Sequence, residues 1–222
     1  YLTKEDLALE KKRYSLKNQF LVPNGSVKEV VFDSVSRKKI RAAARFTSKD
    51  NVGCYLGSIG DEDLGGLLKN SNGKKFIFIV SVSKDAQGER EINNLNKLIN
   101  KYSKGSKIFE NLNLGEVGKH LSAADYGVLP WNDFMPTSIP VKLFDYICVG
   151  LPVVTKGYEN TAVSRFHKEN NVGYFTTSWP AFFEKVNIVK SKKINKNIKN
   201  KFLRENIVAK LWVELDSLGW IK

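Results

Sequence analysis

Residues 126–155, "YGVLPWNDFMPTSIPVKLFDYICVGLPVVT", read as a strand, a polar loop, a helix and a second strand. The first strand is "YGVLPW" (126–131), the helix begins near Thr137–Ser138, and "PVVT" (152–155) is the next strand. Ile139, Leu143, Phe144, Tyr146, Ile147 and Cys148 make the helix apolar nearly all round, so it must be packed on most sides. Three polar residues break that surface. Stepping about 100° per residue from Ser138 places Lys142 and Asp145 in one narrow wedge. Pro140 suits the first turn, where its missing N–H costs nothing.

Working outward, the same alternation extends along the chain. "QFLV" (19–22), "VGCYLGS" (52–58), "KKFIFIVSVS" (74–83), "SKIFE" (106–110) and "VGYFTT" (172–177) read as strands. Helical patterns lie between them at 38–46, 62–70, about 86–102, 114–125 and 162–170, and a helical tail follows. Gly65 and Gly66 weaken the second of these. Apolar strands alternating with helices predict an α/β fold with a doubly wound, Rossmann-like parallel sheet covered on both faces. Ligands in such folds sit beyond the carboxyl ends of the strands, where the strand order reverses. The expected organisation is a helix over 1–18 left from an upstream domain, a Rossmann-like domain over 19–189, and carboxy-terminal helices over 190–222. The chain does not begin with Met, which fits a piece of a longer protein.

The 222 residues carry 36 Lys+Arg against 23 Asp+Glu, a net charge of +13. That excess fits a solvated surface, attraction to an anionic membrane, or nucleic-acid binding. The densest run, "KSKKINKNIKNK" (190–201), has no aromatic side chains to stack on bases, which argues against nucleic acid. Cys54 and Cys148 lie in apolar segments, as buried thiols of a reducing, cytoplasmic compartment do. "NGS" (24–26) is therefore read as a turn and not as a glycosylation site. Without a CxxC pair, and with only two histidines far apart, a structural zinc site is not expected. His120 and His167 read as structural. Acids in "DED" (61–63) are ordinary at a helix start, although D-x-D is also a metal-binding pattern. Neither GxGxxG nor a phosphate-binding GxxxxGK[ST] loop is present.

The wedge itself suggests a chemistry. Unpaired N–H groups at a helix start, with about half a positive charge from the dipole, attract an anion. Lys142 adds a full charge. Asp145, about 10 Å along the axis from the helix start, suits sugar hydroxyls, each charge-assisted bond contributing roughly 1.5–3 kcal/mol. The competing reading is that Lys142 and Asp145 pair with each other on an exposed strip.

"FLVPNGS", "VGCYLGSIG", "LGEVGKHLSAADYGVLPW" and "SIPVKLFDYICVGLPVV", in that order, resemble the donor-binding domain of retaining GT-B glycosyltransferases, the large family of capsule and lipopolysaccharide enzymes. The resemblance implies one half of a GT-B fold, with a nucleotide-diphosphate sugar as donor. It places Asp145 on the ribose, the backbone at Ser138 and Ile139 on the pyrophosphate, Gly57 and Ser58 near phosphate or sugar, and Phe109, Glu110 and Asn111 near the base. Thr137 stands where the family often has a sugar-binding Glu. Acids follow "GS" where the family often has Arg and Lys, which makes Lys142 the candidate replacement. No cofactor or metal is required in this scheme. The acceptor is a polysaccharide, lipid-linked or similar sugar, and the catalytic side chain and acceptor site belong to an absent amino-terminal domain. Peripheral contact with the inner face of the membrane is a further expectation. Two alternatives remain: a nucleotide-sugar epimerase-like enzyme, and a non-catalytic basic module that binds anionic lipid or nucleic acid.

Overall fold

Six parallel strands form one sheet in the order β3-β2-β1-β4-β5-β6. They are β1 Gly53–Ser58, β2 Phe76–Ser81, β3 Lys107–Glu110, β4 Tyr126–Pro130, β5 Val153–Lys156 and β6 Gly173–Thr176. The computed structural model describes residues 3–13, 20–60, 62–131 and 136–219. From β1 the chain adds strands outward in one direction, then returns and adds β4 to β6 in the other. The reversal lies between β1 and β4, as in doubly wound folds.

The helices are α1 Lys4–Arg13, α2 Ser34–Ala43, α3 Leu64–Lys69, α4 Ala86–Tyr102, α5 Leu114–Ser122, α6 Val141–Val149, α7 Ala162–Asn170, α8 Trp179–Ile188, α9 Lys196–Lys201 and α10 Arg204–Ser217. Short polar side chains set most of their starts: Asp33, Asp63, Asp85, Asn113, Thr161, Ser178 and Asn195 each accept a hydrogen bond from the first turn. Asp63 accepts from Gly66 N at 2.6 Å, which fixes α3 despite its two glycines.

Strand β2 shows why its sequence is apolar without a break. Phe76, Phe78 and Val80 pack with Leu67, Leu68, Leu95 and Phe182 on one face of the sheet. Ile77 and Ile79 pack with Leu121, Leu143, Ile147 and Phe166 on the other. Period-two alternation fills both cores, so neither set of positions is left for polar residues.

A charged cluster ties α2 to the sheet. Asp125, with its side chain 4% exposed, meets Arg37 at 2.6 Å and Arg41 at 3.1 Å. It also accepts from Val52 N at 2.9 Å, so one carboxylate joins α2, the start of β4 and the approach to β1.

Two boundaries differ from the sequence reading. Phe20–Val22 do not form a strand, and Gln19 lies outside the described residues. Ser26 instead bridges Leu203: its N–H donates to Phe202 O at 3.0 Å, and its carbonyl accepts from Arg204 N at 2.8 Å. The segment thus satisfies its backbone against the α9–α10 junction and not at the sheet. Helix α6 begins at Val141, not near Thr137–Ser138. Pro140 is its extended N-cap (φ −68°, ψ 140°), and a proline ring disfavours helical geometry at the preceding Ile139. The expected helix over 1–18 is seen as α1, docked on α7 by Lys4 and Glu169 at 3.2 Å; Tyr14 to Asn18 lie outside the described residues.

Candidate functional site

The strand reversal opens a crevice because β1 and β4 part company. Among the described residues they pair only at Gly53–Tyr126 and Cys54–Gly127. Beyond that point Tyr146 of α6 fills the gap. Its hydroxyl accepts from Leu56 N at 2.8 Å and donates to Val128 O at 3.2 Å, replacing ladder bonds the diverging strands have lost. Gly127 makes this possible, since a Cβ there would lie 2.6 Å from the Tyr146 ring. Sequence reasoning counts Tyr146 as apolar surface and misses this role. A phenol on an otherwise apolar helix is the available signal.

Helix α6 starts at this crevice. Among the described residues no side chain caps it, so its first N–H groups, at Val141 and Lys142, join the positive end of the dipole in facing the carboxyl edge of the sheet. The loop before it is fixed at Pro136, whose carbonyl accepts from Ala162 N at 2.7 Å. Thr137, Ser138 and Ile139 are half-buried between these points, with Ile139 against the core. The structure therefore puts Ser138 and Ile139 in the approach to the helix and not in its first turn.

Lys142 is where the wedge departs most from expectation. Its ammonium is ion-paired with Glu62, whose side chain is only 1% exposed. It also lies 5.1 Å from the centre of the Tyr55 ring. Gly57 makes room for it: φ is +147°, and a Cβ would fall 2.5 Å from Lys142 Nζ. Lys142 stands beside Gly57 near the end of β1. Its charge, however, is already matched by Glu62, so it is not an unopposed phosphate counter-charge. Glu62 comes from the "DED" stretch; Asp63 caps α3, and Asp61 lies outside the described residues.

Asp145 turns the other way. Its Oδ1 accepts from Ser26 Oγ at 2.6 Å, so it does not pair with Lys142. Burial raises the Asp145 carboxyl above its ordinary value of 3.8, while the Ser26 hydroxyl and the nearby Arg204 pull it back in part. A carboxylate has about four acceptor positions, and Ser26 occupies one. Because the carboxyl is raised in the fold, the folded state takes up its proton first. The contribution of this group to stability is therefore full below the ordinary value and is lost as pH rises from there through the folded value.

The remaining candidates divide. Glu110 and Asn111 lie with Val82, Ser83, Lys84 and Glu89 around an open depression at the carboxyl ends of β2 and β3. Asn111 joins the two strand ends, its Oδ1 accepting from Val82 N at 3.1 Å. Phe109 turns away, its ring 4.3 Å from that of His120 and packed against the core. His120 is held by Glu116 O at 2.9 Å. His167 is buried against Thr155 Oγ1 at 2.8 Å, and burial pushes it down to about 3, so it is neutral at any ordinary pH. Cys54 and Cys148 are both buried, and burial raises both thiols. Among the described residues, no three His, Cys, Asp or Glu side chains are grouped to hold a metal ion.

A separate cavity of about 110 Å³ lies between α1, α7 and α9, lined by Ile139, Phe144, Arg165, Phe166 and Phe202. It is too small for a nucleotide-sized ligand, for which pockets of roughly 300–1,000 Å³ are usual.

The strand order, the reversal between β1 and β4, and the helices on both faces define a Rossmann-like domain that is one half of a GT-B fold. Solved structures that share it include the following three. Sucrose-phosphate synthase of Thermosynechococcus elongatus superposes with a TM-score of 0.71 at 12% identity, covering 98% of this chain and 58% of that one. HepE of Anabaena, solved with UDP and glucose, gives 0.69 at 10% identity over 89% of this chain and 57% of its own. A glycosyltransferase of Rickettsia africae gives 0.65 at 12% identity over 90% and 57%. The chain thus spans somewhat more than half the length of these neighbours. No protein-family model and no curated protein matches the sequence. Among the described residues, no helix is long and apolar enough to cross a membrane.

Proposed function

We propose that this chain is the donor-binding half of a glycosyltransferase that moves a sugar from a nucleotide-diphosphate donor to a polysaccharide, lipid-linked or similar acceptor. One observation carries the reading. The uncapped start of α6, Gly57 and Lys142 converge on the crevice where β1 and β4 separate. The named neighbours support it: HepE was solved with UDP and glucose and also with UDP-glucose, and the others are named as a sucrose-phosphate synthase and a glycosyltransferase. In this reading the diphosphate lies against the Val141 and Lys142 amides, and the α6 dipole stabilises the charge left on the departing phosphate. Lys142, tethered by Glu62, positions the Gly57 turn and adds a smaller electrostatic contribution. The free acceptor positions of Asp145 take the ribose hydroxyls, and Glu110 and Asn111 flank the base. Transfer of a hexose with retention, with no metal or cofactor beyond the donor, belongs to the same proposal. So do a catalytic group and acceptor site on a further domain, and peripheral membrane contact.

Calorimetric titration of the chain with UDP, GDP and ADP tests donor binding. Saturable binding of one of them is expected, weakened about tenfold to a hundredfold by Asp145→Ala. Equal, non-saturable signals for all three nucleotides would exclude the reading. The raised Asp145 carboxyl adds a pH signature. Affinity for that nucleotide should fall on acidification from a pH above the ordinary aspartate range, as the carboxylate gains its proton. Asp145→Asn should remove that step; a step unchanged in the variant would assign it to another group.

A further inference from the structure

The chain's positive charge is not spread over its surface. In an all-parallel sheet every strand starts on one edge, here reached by the segments 44–52, 69–75, 101–107, 122–125, 149–152 and 168–172. Residues 185–201 lie on the same edge. Lys74 Nζ donates to Asn187 Oδ1 at 2.8 Å, Asn51 Nδ2 to Val186 O at 2.7 Å, Lys192 Nζ to Asn171 Oδ1 at 2.5 Å, and Lys201 Nζ to Asn170 Oδ1 at 3.1 Å. Together these segments hold sixteen Lys and Arg residues and three acids, Asp50, Asp125 and Glu169. Their excess of thirteen equals the net charge of the protein, so the other Lys and Arg residues are matched in number by the other acids.

All three acids face inward or are matched: Asp125 is buried under Arg37 and Arg41, Asp50 pairs with Lys75 at 2.8 Å, and Glu169 pairs with Lys4 at 3.2 Å. Among the described residues, Lys75 is the one cation of the sixteen held in a salt bridge. Lys49, Lys69, Lys101, Lys104, Lys107, Lys193 and Lys196 are exposed. Six strands at about 4.8 Å spacing make this a band roughly 24 Å wide. It lies at the opposite edge from the crevice.

We propose that the strand-start edge is a docking face for an anionic phospholipid bilayer. Fifteen of the sixteen cations are Lys and one is Arg. Lysine is a flexible, hydrated point charge suited to a diffuse anionic surface, whereas planar Arg and stacking aromatics are the usual tools for reading nucleic acid. No Tyr or Trp in these segments is exposed. The band is broad and of one sign, which matches a flat, uniformly charged partner better than a groove-tracking strand. Docked this way, the protein keeps the crevice turned away from the lipid and open to a soluble donor. This names the face responsible for the membrane contact in the reading above, and it does not depend on donor binding.

The test is sedimentation of the purified chain with vesicles of phosphatidylcholine alone, or of phosphatidylcholine mixed with phosphatidylglycerol. Binding is expected only to the mixed vesicles, and it should disappear near 1 M salt, where the screening length is about 3 Å. Lys193→Gln/Lys196→Gln should weaken it about tenfold or more. Lys38→Gln/Arg90→Gln, an equal loss of exposed charge outside these segments, should change it less than threefold. UDP titration of both double variants shows whether the fold and the crevice are intact. Four results overturn the proposal: no vesicle binding at low salt, equal binding to neutral vesicles, equal losses in the two double variants, or tighter retention of duplex nucleic acid than of mixed vesicles. None of these touches the donor reading, which stands or falls on the titration alone.

Discussion

Lys142→Met is expected to destabilise the domain by about 3–5 kcal/mol, measured by chemical denaturation. The substitution leaves Glu62, with its side chain 1% exposed, as a buried charge without its ammonium partner. The double variant Lys142→Met/Glu62→Leu should recover most of the loss, because replacing both ions removes the stranded charge. If the single variant costs under about 1 kcal/mol, as exposed pairs do, the pair is a surface contact and not a buried anchor. The double variant also isolates the role of Lys142 toward phosphate. Should UDP and uridine lose affinity equally in it, Lys142 contributes nothing to diphosphate binding; a selective loss for UDP assigns it that role.

Asp125→Ala is expected to cost a comparable 3–5 kcal/mol, roughly the figure for a broken buried pair. Arg37 and Arg41 then lose their carboxylate, and the buried Val52 N–H loses its acceptor. Arg37 and Arg41 also bond the carbonyls of Ser122, Ala123 and Ala124, so α2 should loosen from the α5–β4 connection as a unit. Hydrogen exchange reads this directly: amides of α2 should lose protection more than those of α4 on the other face. Uniform loss across both helices would mean that the cluster supports global stability without specifically anchoring α2.

Much of the fold is legible in the sequence because it rests on local signals. The unbroken apolar run of β2, the acids that open α3 and the repeated strand–helix alternation each report on neighbouring residues, and the structure agrees with each. The mismatches share a cause. "QFLV" has strand composition, but Ser26 and its neighbours find partners at the α9–α10 junction, a placement no local pattern encodes. The apolar stretch before α6 invites a longer helix than forms, because Pro140 restrains the residue before it.

The wedge is visible in the sequence as two polar residues on one helix, and its electrostatics are not. Glu62 is 80 residues from Lys142 and Ser26 is 119 from Asp145. Side-chain partners across such distances are set by the completed sheet, which brings the end of β1 and the "NGS" turn to opposite sides of α6. The same holds for the +13. Its size is plain in the composition, but its confinement to one edge requires the strand directions.

The central claim is that the crevice between β1 and β4 holds a nucleoside diphosphate through the start of α6. A crystal structure of the chain with the nucleotide that titration selects tests this most directly. The account predicts phosphate oxygens within hydrogen-bond distance of the Val141 and Lys142 amides and ribose hydroxyls on Asp145. A nucleotide bound elsewhere, with Asp145 contacting Ser26 alone and the α6 start empty of phosphate, would contradict it.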